Sequence, residues 1–219
     1  MQPAPKKIRP PMNADKTKTS MERAAIGIRP HSGWAALLVV AGRPGAIEVV
    51  DRRKAVITAA NIKGATQPYH FAQGQNLAEA EKYLAECAAV SERLAGEVLR
   101  ETIQEARTRN KEVGSCAILL AAGRALPALP KILASHPLIH TAEGEFFRQS
   151  FRRAGEMLGI EVTGVRERDL DECARKVFGT KADAVQREIA GLGSSLGPPW
   201  TSDQKNACLA ALLVLFGYR

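Results

Sequence analysis

Residues Ala24–Val40, AAIGIRPHSGWAALLVV, carry the reading from which the rest of the chain is organised. An apolar run enters at Ala24, breaks at Arg29-Pro30-His31-Ser32-Gly33, and resumes from Trp34 as a second apolar run. Short apolar runs bounded by Gly and Pro read as buried strands. The interruption is short enough for a hairpin turn, which would set Arg29, His31 and Ser32 at the end of a central strand.

Outward from that hairpin, strand one is expected over Ala24–Arg29 and strand two over Trp34–Ala41. The turn cluster Gly42-Arg43-Pro44-Gly45 then leads to strand three, Ala46–Asp51, completing an antiparallel meander. Arg52 to Gln75 reads as irregular, with an extended piece at Lys54–Ala59 and a turn at Gln67-Pro68. Leu77–Lys111 has helical apolar spacing, with Asn76 as its N-cap and Gly114 beyond its end. Ser115–Ala122 is apolar without alternation, the mark of a strand covered on both faces and ended by Gly123. Leu126–Ser135, with two prolines, reads as a short helix or turn. A helix over Ala142–Leu158 follows, capped by Thr141 and with Glu143 and Glu145 in its first turn, where the helix dipole favours acids. Ile160–Val165 is a further strand. Asp169 to Ile189 is helical, Gly191–Pro199 is a loop, and Ser202–Phe216 is a strongly apolar terminal helix with Ser202 as its cap.

The succession predicts an α/β fold: a mixed five-stranded sheet, three antiparallel strands then parallel ones, with helices on both faces. One domain, 23–219, is expected behind an N-terminal arm, 1–22. That arm holds four prolines among scattered lysines, too few apolar groups to repay ordering, and Met21 near its end is a second candidate start. Residues 1–23 carry six Lys/Arg against Asp15 and Glu22, half of the formal net charge of +8, so the folded part is only mildly basic. Cys87, Cys116, Cys173 and Cys208 are widely spaced and lack zinc-ligand spacing, which reads as buried thiols in a cytoplasmic protein. The start has no secretory h-region, and no apolar run reaches the roughly 18 residues of a membrane span.

In its order of elements, and in the stretches IGIRPHSGW and SDQKNACLAALLVL, the chain resembles the ribonuclease H-like superfamily, within it most closely the Holliday-junction resolvases. The resemblance implies two divalent cations held by carboxylates on strand one, on the later parallel strand and on the last helix. Here the strand-one position is Arg29, the strand ending Ala121-Ala122-Gly123 offers no acid, and only Asp203 matches. A guanidinium repels a metal and grips phosphate or carboxylate. Three readings follow. The favoured one is a catalytically degenerate member, a pseudo-nuclease that binds nucleic acid or another phosphate-bearing partner through Arg29 and the arm. The second is a nuclease with a rearranged site built from His31, Ser32, Glu143 or Glu145 and Asp203. The third is an interaction protein in which Arg29 and Asp203 form an ordinary salt bridge. No metal or cofactor is expected unless the nuclease reading holds, in which case it would be Mg²⁺ or Mn²⁺. An actin-like nucleotide-binding fold shares the strand order but needs a second domain.

The residues singled out as catalytic are therefore Asp203, Glu143 and Glu145, and those for a ligand are Arg29, His31, Ser32, Trp34, Arg166 and Arg168. Trp34 is either a stacking platform for a base or a hairpin-packing residue. Arg166 and Arg168 follow the last strand, where sheets of this type place their sites. His140 and Glu143 have a spacing that could share a metal, but no second His or Cys stands nearby in sequence. Arg148, Arg152 and Arg153 read as a solvated helix face, and Tyr69-His70 as a polar aromatic pair in a loop.

Overall fold

A computed structural model describes residues 20–121 and 125–219. Most of the expected arm, with Ala122, Gly123 and Arg124, lies outside the described residues. The hairpin is built from β1 (Glu22–His31) and β2 (Trp34–Arg43), and it turns on Ser32-Gly33 alone, with Gly33 at φ 79°. Strand one is thus longer at both ends than its apolar run. Glu22, assigned to the arm, is in the ladder and its amide donates to the Asn110 carbonyl at 3.0 Å. Pro30 and His31, read as turn, pair with Ala35 and Trp34. Pro30 is tolerated in this central strand because the parallel ladder to β4 ends at Ile28, so no partner awaits its missing N–H on that side.

β3 runs over Ala46–Val56, absorbing the extended piece at Lys54 into one strand that bends at a bulge opposite Val39/Val40. A one-turn helix α1 (Pro68–Ala72) precedes the long α2 (Leu77–Thr108), whose Asn76 cap accepts from the Glu79 amide at 3.0 Å. The helix stops earlier than expected because Asn110 takes the left-handed turn, φ 59°, and Gly114 lies inside β4 (Lys111–Leu120). After α3 (Leu129–Leu133), α4 (His136–Met157) begins at Ser135 rather than Thr141, with a proline in its first turn. β5 (Glu161–Arg166) follows. Then come α5 (Leu170–Phe178), α6 (Ala182–Gly191), a single turn α7 (Gly193–Leu196) inside the expected loop, and α8 (Ser202–Leu215). Thr201, not Ser202, caps α8, in a reciprocal box with Gln204.

The strand order is β3-β2-β1-β4-β5, antiparallel from β3 to β1 and parallel from β1 to β5. This is the mixed five-stranded sheet that the succession of elements predicts. Residues 35–41 of β2 are all buried, as a strand covered on both faces requires. α5, α6 and α8 pack on the face presenting Ala25, Leu38, Ala117 and Val165. α2 and α4 cover the face presenting Ile26, Ile28, Leu37 and Ile118. Gly27 lets α8 approach β1 closely, since a Cβ there would lie 1.9 Å from the Ala207 carbonyl oxygen. Among the described residues, no helix is long and apolar enough to cross a membrane.

Candidate functional site at the strand ends

β1, β4 and β5 are parallel, so their C-terminal ends, at Arg29, Leu120 and Arg166, fall along one edge of the sheet. The Gly27 contact lays α8 against β1 and brings Asp203, in the first turn of α8, to the same edge. The helix N-terminus supports that carboxylate. Glu167 comes from the residue directly after β5.

Arg29 lies between the two acids. Its Nε is 3.0 Å from Asp203 Oδ1 and 3.3 Å from Glu167 Oε1, and its Nη2 donates to Glu167 Oε2 at 3.2 Å. Asn206, one turn beyond Asp203, donates to Glu167 Oε1 at 2.9 Å. His31 Nε2 sits 2.9 Å from the other Asp203 oxygen, a contact that requires a proton on that nitrogen. Nη1 of Arg29 lies 3.1 Å from the same ring nitrogen. The His31 ring stacks on Trp34 with centroids 4.2 Å apart, and Lys54 Nζ stands 4.7 Å from the Trp34 centroid. Both strands flanking Trp34 therefore cover its ring, the arrangement of a hairpin-packing tryptophan.

Behind this group, Arg148 of α4 donates through Nε to the Leu119 carbonyl at 3.1 Å. Burial pushes its guanidinium below its ordinary value. Glu145 counteracts that, while nearby Arg29 and Arg152 push further down. Two guanidinium groups thus face two carboxylates, and Arg29 is only 25% exposed along its side chain. The resemblance to two-metal nucleases implies a pair of divalent cations here. The donor set does not fit them: a permanent cation holds the carboxylates that the metals would need.

Of the residues singled out in the sequence, Arg29, His31, Trp34 and Asp203 come together. Ser32 is exposed at the hairpin tip. Arg166 and Arg168 turn to Asp169, at 2.5 and 3.5 Å, and remain more than half exposed. Glu145 pairs with Arg152 at 2.8 Å. Glu143 belongs elsewhere: it is buried against His70 of α1, whose amide donates to Oε1 at 3.2 Å. With α4 starting at His136, neither acid stands in a first turn, so the dipole explanation for them fails. Glu167 and Asn206 are not among the residues singled out in the sequence, and Arg148, expected on a solvated helix face, is instead largely buried against β4. Glu167 was accessible to reasoning, since it follows the last parallel strand, but its basic neighbours drew the reading instead. A cleft of about 330 Å³, lined by Glu167, Arg168, Asp171, Lys205 and Asn206 among others, opens beside the group between α5, α6 and α8.

No family model and no curated protein matches the sequence. Among solved structures, Thermus thermophilus RuvC in complex with Holliday junction substrate aligns at a TM-score of 0.48 and 14% identity, covering 90% of this chain and 97% of that one. A second Thermus thermophilus RuvC structure aligns at 0.48 and 14%, over 88% and 93%. The yeast mitochondrial Holliday junction resolvase Ydc2 gives 0.44 and 9%, over 91% and 78%.

Proposed function

We propose that the chain is a ribonuclease H-like protein that has exchanged metal-dependent cleavage for binding of a phosphate-bearing partner, nucleic acid first among them. One observation carries this: the Arg29 guanidinium bonds both Glu167 and Asp203 at the sheet edge where a metal site would need free carboxylates. A divalent cation entering there would have to displace a group that cannot lose its charge. Arg168 and Lys205 line the cleft beside the same edge, with Arg166 next to them at the end of β5, and phosphate contacts by such groups give sequence-independent affinity. The buried free thiols at Cys87, Cys116, Cys173 and Cys208 fit a cytoplasmic setting.

Two measurements test the reading. Branched DNA and an RNA–DNA hybrid incubated with the full chain in Mg²⁺ or Mn²⁺ should stay intact; cleavage that disappears in Asp203→Asn would establish the rearranged nuclease instead. Affinity for branched, duplex and single-stranded nucleic acid should fall steeply as salt rises, because bound phosphates release counterions. A flat salt dependence would leave the interaction-protein reading, with Arg29–Asp203 as structural glue.

A further inference from the structure

Three of the chain's four histidines meet at one point, although the sequence separates His70 from His136 and His140 by a strand and a long helix. His136 and His140 stand four apart on α4, so they share a face near its N-terminus. α1 packs His70 against them. One ring nitrogen from each imidazole lies within 4.8 Å of the other two, and Nε2 of His136 and His140 are 3.0 Å apart. The three rings meet edge to face, with centroids 4.5–5.1 Å apart, instead of stacking. Nitrogen ligands held at about 2.0–2.1 Å around a tetrahedral zinc ion stand at separations of this order.

The acid behind the cluster is the second, independent sign. Glu143 is 3% exposed. A buried carboxylate is costly unless a cation or donors face it. Among the described residues its polar partners are both on His70: the amide, and Nδ1, which lies 2.9 Å from Oε2. That nitrogen is buried and approaches Oε2 without the alignment of a hydrogen bond. A carboxylate against Nδ1 leaves Nε2 of His70 for a ligand, the way metal-bound imidazoles are commonly oriented.

We propose that His70, His136 and His140 bind a single transition-metal ion, Zn²⁺ by preference, with Glu143 as the positioning residue for His70. Three neutral imidazoles suit zinc and its neighbours over Mg²⁺ or Ca²⁺, which take oxygen ligands. His136 and His140 are exposed, so the fourth position faces solvent and takes water or a small anion. The ion would pin α1, and with it the connection between β3 and α2, onto α4. This centre is separate from the Arg29 group: His140 is eight residues before Arg148 on α4, roughly 12 Å along the helix axis.

Titration of the chelator-treated full chain with ZnCl₂ in a calorimeter should show one equivalent bound, and Co²⁺ should give the visible absorption of a four-coordinate site. The paired change His136→Ala and His140→Ala, at exposed positions, should abolish both signals while leaving the circular dichroism spectrum unchanged. Glu143→Gln should retain one equivalent with affinity weakened about 10–100-fold. Absence of stoichiometric binding, or binding unchanged in the paired variant, overturns the proposal. Neither outcome bears on nucleic-acid affinity, so the two proposals fail separately.

Discussion

The central strand β1 is covered on both faces, and the two covers are built differently. Against α8 the contact is made by small residues: Gly27 and Ala25 on the strand, Ala207, Ala210 and Ala211 on the helix. Every residue from Ala207 to Leu215 is buried, so α8 is wrapped on all sides. Against α2 and α4 the contact is made by large side chains: Ile26 and Ile28 on the strand, Leu99, Phe147 and Phe151 on the helices. The first cover brings backbones together and fixes Asp203 against Arg29. The second keeps them apart with bulk, and its helices carry charged outer faces on which further groups, such as the histidine cluster, can be mounted. A close-packed small-residue contact tolerates no added atoms; a contact filled by large rings tolerates no removed ones.

The largest expected effect breaks the small-residue side. In Gly27→Leu the new side chain meets backbone, which cannot swing aside, so a loss on the order of 5 kcal/mol is expected in urea unfolding. Normal stability in that variant would refute the asymmetry. Next, Phe151→Ala should cost about 4 kcal/mol by leaving a cavity under α4, while nucleic-acid affinity per folded molecule stays unchanged. Arg29→Ala should cost less, about 2 kcal/mol, because the two acids it leaves are partly solvated. The same variant should weaken nucleic-acid binding and flatten its salt dependence, which separates a binding role from structural glue.

The smallest effect is shared by both sides. Burial pushes the Cys116 thiol, under α2 and α4, and the Cys208 thiol, on α8, up to about 12. Folding therefore favours the protonated thiols. Their contribution is complete below the ordinary value of 9.0 and is lost as pH rises from there toward about 12. Thermal melts across pH 7–9 should show no change from either thiol, with decline only above that window. Native protein at pH 8 should leave both cysteines unalkylated, and rapid labelling of one would show that its cover opens.

Much of this was legible in the sequence because burial leaves a pattern. The unbroken apolar stretch of β2 and the SCAILL segment of β4 announce strands covered on both faces, and Asn76 announces the start of α2. The ends were harder. Glu22 and His31 extend β1 beyond its apolar run because ladder hydrogen bonds are blind to side-chain polarity. Thr141 resembled a cap, yet in α4 its hydroxyl donates back to the Pro137 carbonyl at 3.0 Å.

By itself, the sequence determined the order of elements, the mixed sheet, and the cation, Arg29, near the end of the first strand. Those are properties of hydrophobic period and residue identity, carried by neighbours along the chain. Only the tertiary structure decided which groups meet that cation. Glu167 and Asp203 lie 138 and 174 residues from Arg29, and the parallel ladder and the Gly27 contact bring them together. It likewise decided that His70 joins His136 and His140, since a pairing across a whole strand and helix depends on how α1 packs and has no counterpart in local spacing.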